Sequence, residues 1–163
     1  MTRWLFVVLV IYTINISAQI IPSTVEDMEI EYQSNIRKSK INGVYIPQDI
    51  EEAISEIIRL SPPQSIERFK NGNEEEVVRK LHFGLGKWLA IQWNFDFGSR
   101  YSHYLKEMGV TYPDDMISFT LRSLHRHLNE VPMNIRERAQ LLKKKRYNEY
   151  LKRVQSGEVL DSL

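Results

Sequence analysis

Apolar residues recur at helical spacing along most of this chain and nowhere alternate in a run long enough for a strand, so an all-α fold is expected. Asp49 has the position of an N-cap, with Glu52 three residues on in a capping-box arrangement. Ile50, Ile54, Ile57 and Ile58 then form one stripe, which Ser61-Pro62-Pro63 stops. A short helix over 64–70 presents Ile66 and Phe69 and closes at Asn71-Gly72. Asn73 caps the next helix, and Glu74, Glu75 and Glu76 stand in its first turn, where the helix dipole favours negative charge. Val77, Leu81, Leu85, Trp88 and Gln92 share one face of it, broadened by Val78, Leu89 and Trp93.

Gly84 and Gly86 fall inside that pattern, although each glycine costs about 1 kcal/mol relative to alanine in a helix. Either a second helix crosses closely there or the helix breaks; the close crossing is the expectation. Asn94 to Gly98 reads as a loop. Ser99 caps a helix with Tyr101, Tyr104, Leu105 and Met108 that Gly109 ends. Pro113, Asp114 and Asp115 open another, whose buried face is Ile117, Leu121, Leu124 and Leu128. A last helix over about 134–155 carries a thin apolar face of Ile135, Ala139, Leu142, Tyr150 and Leu151. The sum is a compact bundle of about five to six helices.

The ends read differently. Arg3, an apolar run from Trp4 to Tyr12, and Ile16-Ser17-Ala18 before Gln19 compose a signal peptide over 1–18, cleaved near Ala18-Gln19. An uncleaved N-terminal anchor is the competing reading, although the run is short for a ~30 Å hydrocarbon core. The expectation is an exported protein, periplasmic or secreted. About 145 residues then remain, enough for one domain with a core. With no cysteine, packing alone must hold it, which suits a bacterial periplasm and excludes thiolate metal sites and cysteine nucleophiles. Residues 19–43 lack a persistent period and are expected to be a flexible lead-in to a helical domain over 44–132, with a basic C-terminal helix and tail over 133–163. Residues 134–155 hold eight Lys/Arg against Glu137 and Glu149, a net of +6, whereas 19–133 hold thirteen basic and seventeen acidic residues, a net of −4. Such a helix can dock on its own acidic domain, on an anionic lipid surface or on a partner.

Between these ends stand two dense motifs. One runs His82-Phe83-Gly84-Leu85-Gly86-Lys87-Trp88 through Trp93 to Gly98-Ser99; the other is Pro113-Asp114-Asp115-Met116 with His125-Arg126-His127-Leu128-Asn129. Together with Ile46-Pro47 they resemble a family of small bacterial helical proteins described as a domain of unknown function. The similarity covers about 44–129. It implies a helical module and no particular activity. Where that pattern has Arg-Asn within the tryptophan segment this chain has Ala90-Ile91, and where it has serine after Met116 this chain has Ile117. Apolar replacements there suit a packed face or an apolar contact surface.

Candidate chemistry is sparse. Of the four histidines, His82, His103, His125 and His127, the last two point about 200° apart on a helix, so they do not chelate together. His82 and His125 can meet across helices with Asp114 or Asp115, either as metal ligands or as an acid/base set; buried or surface histidine, and acidic residues placed by the helix dipole, explain the same residues without chemistry. The expectation is no metal and no cofactor. No Gly-x-Ser-x-Gly, His-Glu-x-x-His or phosphate loop is present. Trp88, Trp93, Phe95 and Phe97 are core or, where exposed, anchors for a partner, with Arg100 beside them. Lys143, Lys144, Lys145 and Arg146 form a solvated face, an acidic-partner contact or a weak contact with anionic membrane; export argues against nucleic acid. The reading is a non-enzymatic protein-binding or accessory module of the bacterial cell envelope. The alternative is a small hydrolase or metal-dependent enzyme using His82, His125 and Asp114/Asp115, which must then converge within roughly 3–4 Å of a common point.

Overall fold

Residues 24–157 are described by the structure, a computed structural model, and they are mostly helical. The signal peptide expected over 1–18 lies outside the described residues. The first element is one the sequence pattern did not suggest: helix α1, Val25–Asn35, lies within the stretch expected to be a flexible lead-in. Thr24 caps it by accepting from the Asp27 backbone N–H at 3.1 Å, and Glu26 and Asp27 occupy its first turn. It shows no stripe because Val25, Met28 and Ile30 are exposed. Tyr32 instead ties it to the body. Its ring covers Gly98, where a Cβ would overlap it, its hydroxyl lies 2.9 Å from His103 Nδ1, and Lys106 Nζ sits 4.7 Å from the ring centroid.

A two-stranded hairpin follows, β1 Lys40–Ile41 against β2 Val44–Tyr45, with Lys40 opposite Tyr45 and Ile41 opposite Val44. Its turn is Asn42-Gly43, both at positive φ (50° and 81°), the backbone that matches the twist of tight hairpins. Helix α2, Ile50–Leu60, is capped by Asp49, which accepts from the Glu52 N–H at 2.9 Å. The expected reciprocal bond is displaced by one residue: Glu52 Oε2 accepts from the Gln48 N–H and from the Tyr45 hydroxyl (2.7 Å). The tyrosine bond, foremost, holds the Glu52 carboxyl below its usual range.

Helix α3, Pro63–Asn71, and helix α4, Glu74–Leu81, form a hairpin through Gly72-Asn73. Beyond α4 the rod continues as a π turn, His82–Gly86, and then α5, Lys87–Gln92. The helix does not break at the glycines, and the expected close crossing is found at Gly86 alone. At Gly86 helix α7, Pro113–Leu128, crosses so closely that a Cβ would overlap Ile117; at Gly84 a Cβ would meet nothing. The wider π turn also shifts the buried register by one residue. Before it Val78 is buried, with Val77, Leu81 and Leu85 partly so; after it the buried set is Gly86, Leu89, Ala90 and Trp93 rather than Trp88 and Gln92.

Helix α6, Arg100–Glu107, has a capping box in which the Ser99 and Ser102 side chains serve each other's backbone. Helix α7, Pro113–Leu128, packs against α2, α3, α4, the π turn, α5 and finally α8, Ile135–Ser156. Its buried residues Met116, Ile117, Phe119, Leu121 and Leu124 centre the core, and its buried Thr120 hydroxyl meets the Tyr101 hydroxyl at 2.7 Å. Arg138 pins α8 to α7 by donating to the Phe119 carbonyl (3.2 Å) and Ser123 Oγ (3.1 Å). Its guanidinium lies 4.5 Å from the Phe119 ring centroid, and burial pushes its pKa down to about 10, so it stays charged at neutral pH.

Candidate functional site

Between α3 and α4, over α7, lies an open groove of about 490 Å³. Ile66 and Phe69 of α3 form one wall, Val77 and Leu81 of α4 the other, and Leu124 and Leu85 the floor. Past Ser61 it runs into a second hollow of about 250 Å³ lined by Leu60, Pro62, Leu85 and Trp88. Arg68 and Lys80 line the first hollow, and no carboxylate lines either. Among the described residues Lys80 has no carboxylate partner, and Arg68 donates only to the Gln64 carbonyl and Ser65 Oγ. Trp88 is 44% exposed at the mouth because the π turn has rotated it off the buried face, and Leu60 beside it is 45% exposed.

Much of the second sequence motif holds this groove in shape. His125 Nε2 donates to the Gly72 carbonyl at 2.9 Å, its ring meets Phe69 edge-on, and Nδ1 lies 3.8 Å from Glu74. Asn129 Nδ2 donates to the Lys70 carbonyl at 3.0 Å, and Arg122 and Arg126 pair with Glu74. These bonds satisfy the carbonyls at the end of α3 and the negative first turn of α4. Gly72 is required for closeness: a Cβ there would overlap Val77.

The four proposed acid/base or metal residues do not come together. His82 Nε2 lies 3.4 Å from Asp114 Oδ1, and Lys87 donates to that same oxygen at 2.9 Å. The Lys87 bond is the main reason the Asp114 carboxyl titrates below its usual range. Asp115, about 100° further round α7, turns away from His82 into a bidentate pair with Arg146 at 2.6 and 2.8 Å. His125 lies eleven residues beyond Asp114, about 16 Å along the same helix. Among the described residues no three His, Asp or Glu side chains cluster as a metal would require.

One residue that sequence reasoning missed joins His82. Ser118 Oγ lies 3.3 Å from Nδ1, and its spacing of four from Asp114 on α7 was the available signal. The serine, histidine and aspartate form a chain, yet none lines the groove, Ser118 sits within α7 where neighbouring backbone N–H groups serve the helix, and Asp114 is engaged by Lys87. The cluster ties the π turn to α7. Phe83, packed edge-on against His82, is 78% exposed.

The proposed contact residues divide. Of the two readings offered for Trp93 and Phe95, core or partner anchor, both residues take the core: Trp93 meets Tyr101 edge-on at 5.3 Å, and Phe95 packs on both. Trp93 Nε1 is buried with no acceptor among the described residues. Arg100 is likewise structural, donating to the Ile46 carbonyl at 2.6 Å and stacking on Tyr45. Arg146 is taken by Asp115 and Glu149, which raise its pKa, and it stacks on Tyr112. Trp88, Phe97, Lys143, Lys144 and Lys145 remain exposed. Groove residues Arg68 and Lys80 had no sequence signal, since a cation without a partner differs from a paired one only in space.

No helix among the described residues is long and apolar enough to cross a membrane. No curated protein and no solved structure matches the chain. Residues 46–128, just over half of the chain, match the family described as a domain of unknown function (DUF6794), and the chain belongs to that family.

Proposed function

We propose that this chain is a non-enzymatic binding module of the bacterial cell envelope that receives a protein partner in the α3–α4 groove, with Trp88 as the anchor at its mouth. The observation that carries this reading is the groove itself: an apolar trough, free of carboxylates, opening onto a half-exposed tryptophan. Exposed apolar concavities with few polar groups are where proteins bind, and aromatic side chains dominate interface energetics. From Val77 to Trp88 the trough runs about 16 Å, the length of three helical turns, which suits a partner helix presenting apolar side chains at i, i+3 or i+4, and i+7. Arg68 and Lys80 favour acidic residues on its flank. The enzymatic alternative has less support, because His125 and Asp115 serve helix ends and an inter-helix ion pair away from His82.

Export rests on the sequence of residues 1–18, and N-terminal sequencing of the purified envelope protein should begin at Gln19. The groove is tested by placing a photo-crosslinking phenylalanine analogue at position 88 or, as a control, at exposed Gln140 on α8. A protein adduct from position 88, absent from position 140 and diminished by Lys80→Glu, is the expected result. No adduct from position 88 in the native envelope sinks the reading.

A further inference from the structure

Helix α8 carries two apolar stripes pointing in different directions. Ile135, Ala139 and Leu142 face the body, with Ala139 buried. Tyr147, Tyr150, Leu151 and Val154 follow at i, i+3, i+4 and i+7, and at about 100° per residue they fall within a band about 100° wide, turned by about the same amount from the first stripe. They are 61%, 54%, 37% and 41% exposed. The last tie from α8 to the body is Arg146 on Asp115, with Glu149 bonded back to Arg146. Residues 150–157 are all exposed. Two turns of helix therefore extend past the domain with an apolar stripe that the described residues leave uncovered.

We propose that this second half of α8 is an interfacial helix that lays its stripe on an anionic membrane surface. Charge selects the occupant. Lys144 and Arg153 flank the stripe on either side, and Glu149, the one acidic residue between Ala139 and Gly157, is bonded to Arg146. Cations on both flanks fit a helix lying in a headgroup layer, where anions surround it, and long lysine stems reach outward while the apolar face sinks. A protein groove would cover the stripe and one flank. Two tyrosines in the stripe also suit the boundary, since each has an apolar ring and a hydroxyl that stays wet.

The test is co-sedimentation of the full chain with vesicles of phosphatidylglycerol and phosphatidylethanolamine, against phosphatidylcholine vesicles. Residues 1–18 are common to all variants, so the comparison isolates α8. Binding to the anionic vesicles, weakened by high salt, is expected, with a loss of about five-fold for each charge removed in Lys144→Gln and Arg153→Gln. Tyr150→Ser with Leu151→Ser, at exposed positions, should reduce binding at least ten-fold with the helical circular dichroism of the chain retained. Equal binding to both vesicle types, or unchanged binding of the stripe variant, overturns the proposal. So does stripe-dependent self-association in sedimentation without vesicle binding, which assigns the face to a second copy.

Discussion

Replacing each glycine of the π turn by alanine separates close packing from helix propensity within one element. At Gly84 the new methyl meets nothing, so Gly84→Ala should gain up to about 1 kcal/mol from reduced backbone freedom in the unfolded chain. At Gly86 the same gain operates, but the methyl overlaps the Ile117 side chain and comes within 3.5 Å of Leu121 Cδ1. Ile117 is itself buried and branched at Cβ, so it has little room to turn aside. Overpacking of this kind costs about 1–3 kcal/mol. Because the propensity gain is common to both, the difference between the variants isolates the overlap: Gly86→Ala should be less stable than Gly84→Ala by about 1–3 kcal/mol. For a chain of this size that is a separation of roughly 2–12 °C in melting temperature. Urea unfolding followed by circular dichroism, with matched slopes, reads it directly. Equal stability of the two variants would refute the close crossing of α7 over the π turn.

Three further outcomes are expected. Trp93 Nε1 has no acceptor among the described residues, so Trp93→Phe forfeits volume alone and should cost roughly 1–2 kcal/mol against roughly 3–5 for Trp93→Ala; equal costs in urea unfolding would show a hidden hydrogen bond. Glu52 has a depressed pKa, so its ionisation stabilises the fold above the unfolded value of about 4.3 and that contribution is lost as pH falls through the folded value. Tyr45→Phe removes the largest cause, and carboxyl NMR should find Glu52 titrating nearer the ordinary range; an unmoved titration would make the hydroxyl irrelevant. Asp115→Asn should loosen α8 by about 1–3 kcal/mol, visible as faster hydrogen exchange over 135–149 with α7 unchanged, and uniform loss of protection across the chain would contradict it.

The helices whose apolar stripe points into the core were legible before the structure: the isoleucines of α2 and the α7 set of Ile117, Leu121 and Leu124 recur at the spacing that a buried face demands. Helix α1 was not, because a cap and one tyrosine hold it and its remaining apolar residues face solvent. The segment from Leu85 to Trp93 misled for a different reason. A periodicity argument assumes an unbroken 3.6-residue turn, and one wider turn moves burial from Trp88 to Leu89. The motif residues His125 and Asn129 stood out in sequence, but whether such groups meet a substrate or a neighbouring carbonyl depends on a hairpin more than fifty residues away. The groove was illegible because it is space between elements, and period records only which face of each element turns inward.

The π turn has a consequence for how related chains diverge. A wider turn is equivalent to one inserted residue in an otherwise regular rod. Removing a single residue between 82 and 86 should therefore restore the unbroken helix with Leu89 still buried and Trp88 still at the mouth of the groove, whereas regularising the turn with every residue kept would swing Trp88 into the core and turn Leu89 outward. For this surface a chain one residue shorter keeps the open mouth and a chain of equal length with a regular turn closes it, so segment length and turn geometry decide the mouth together.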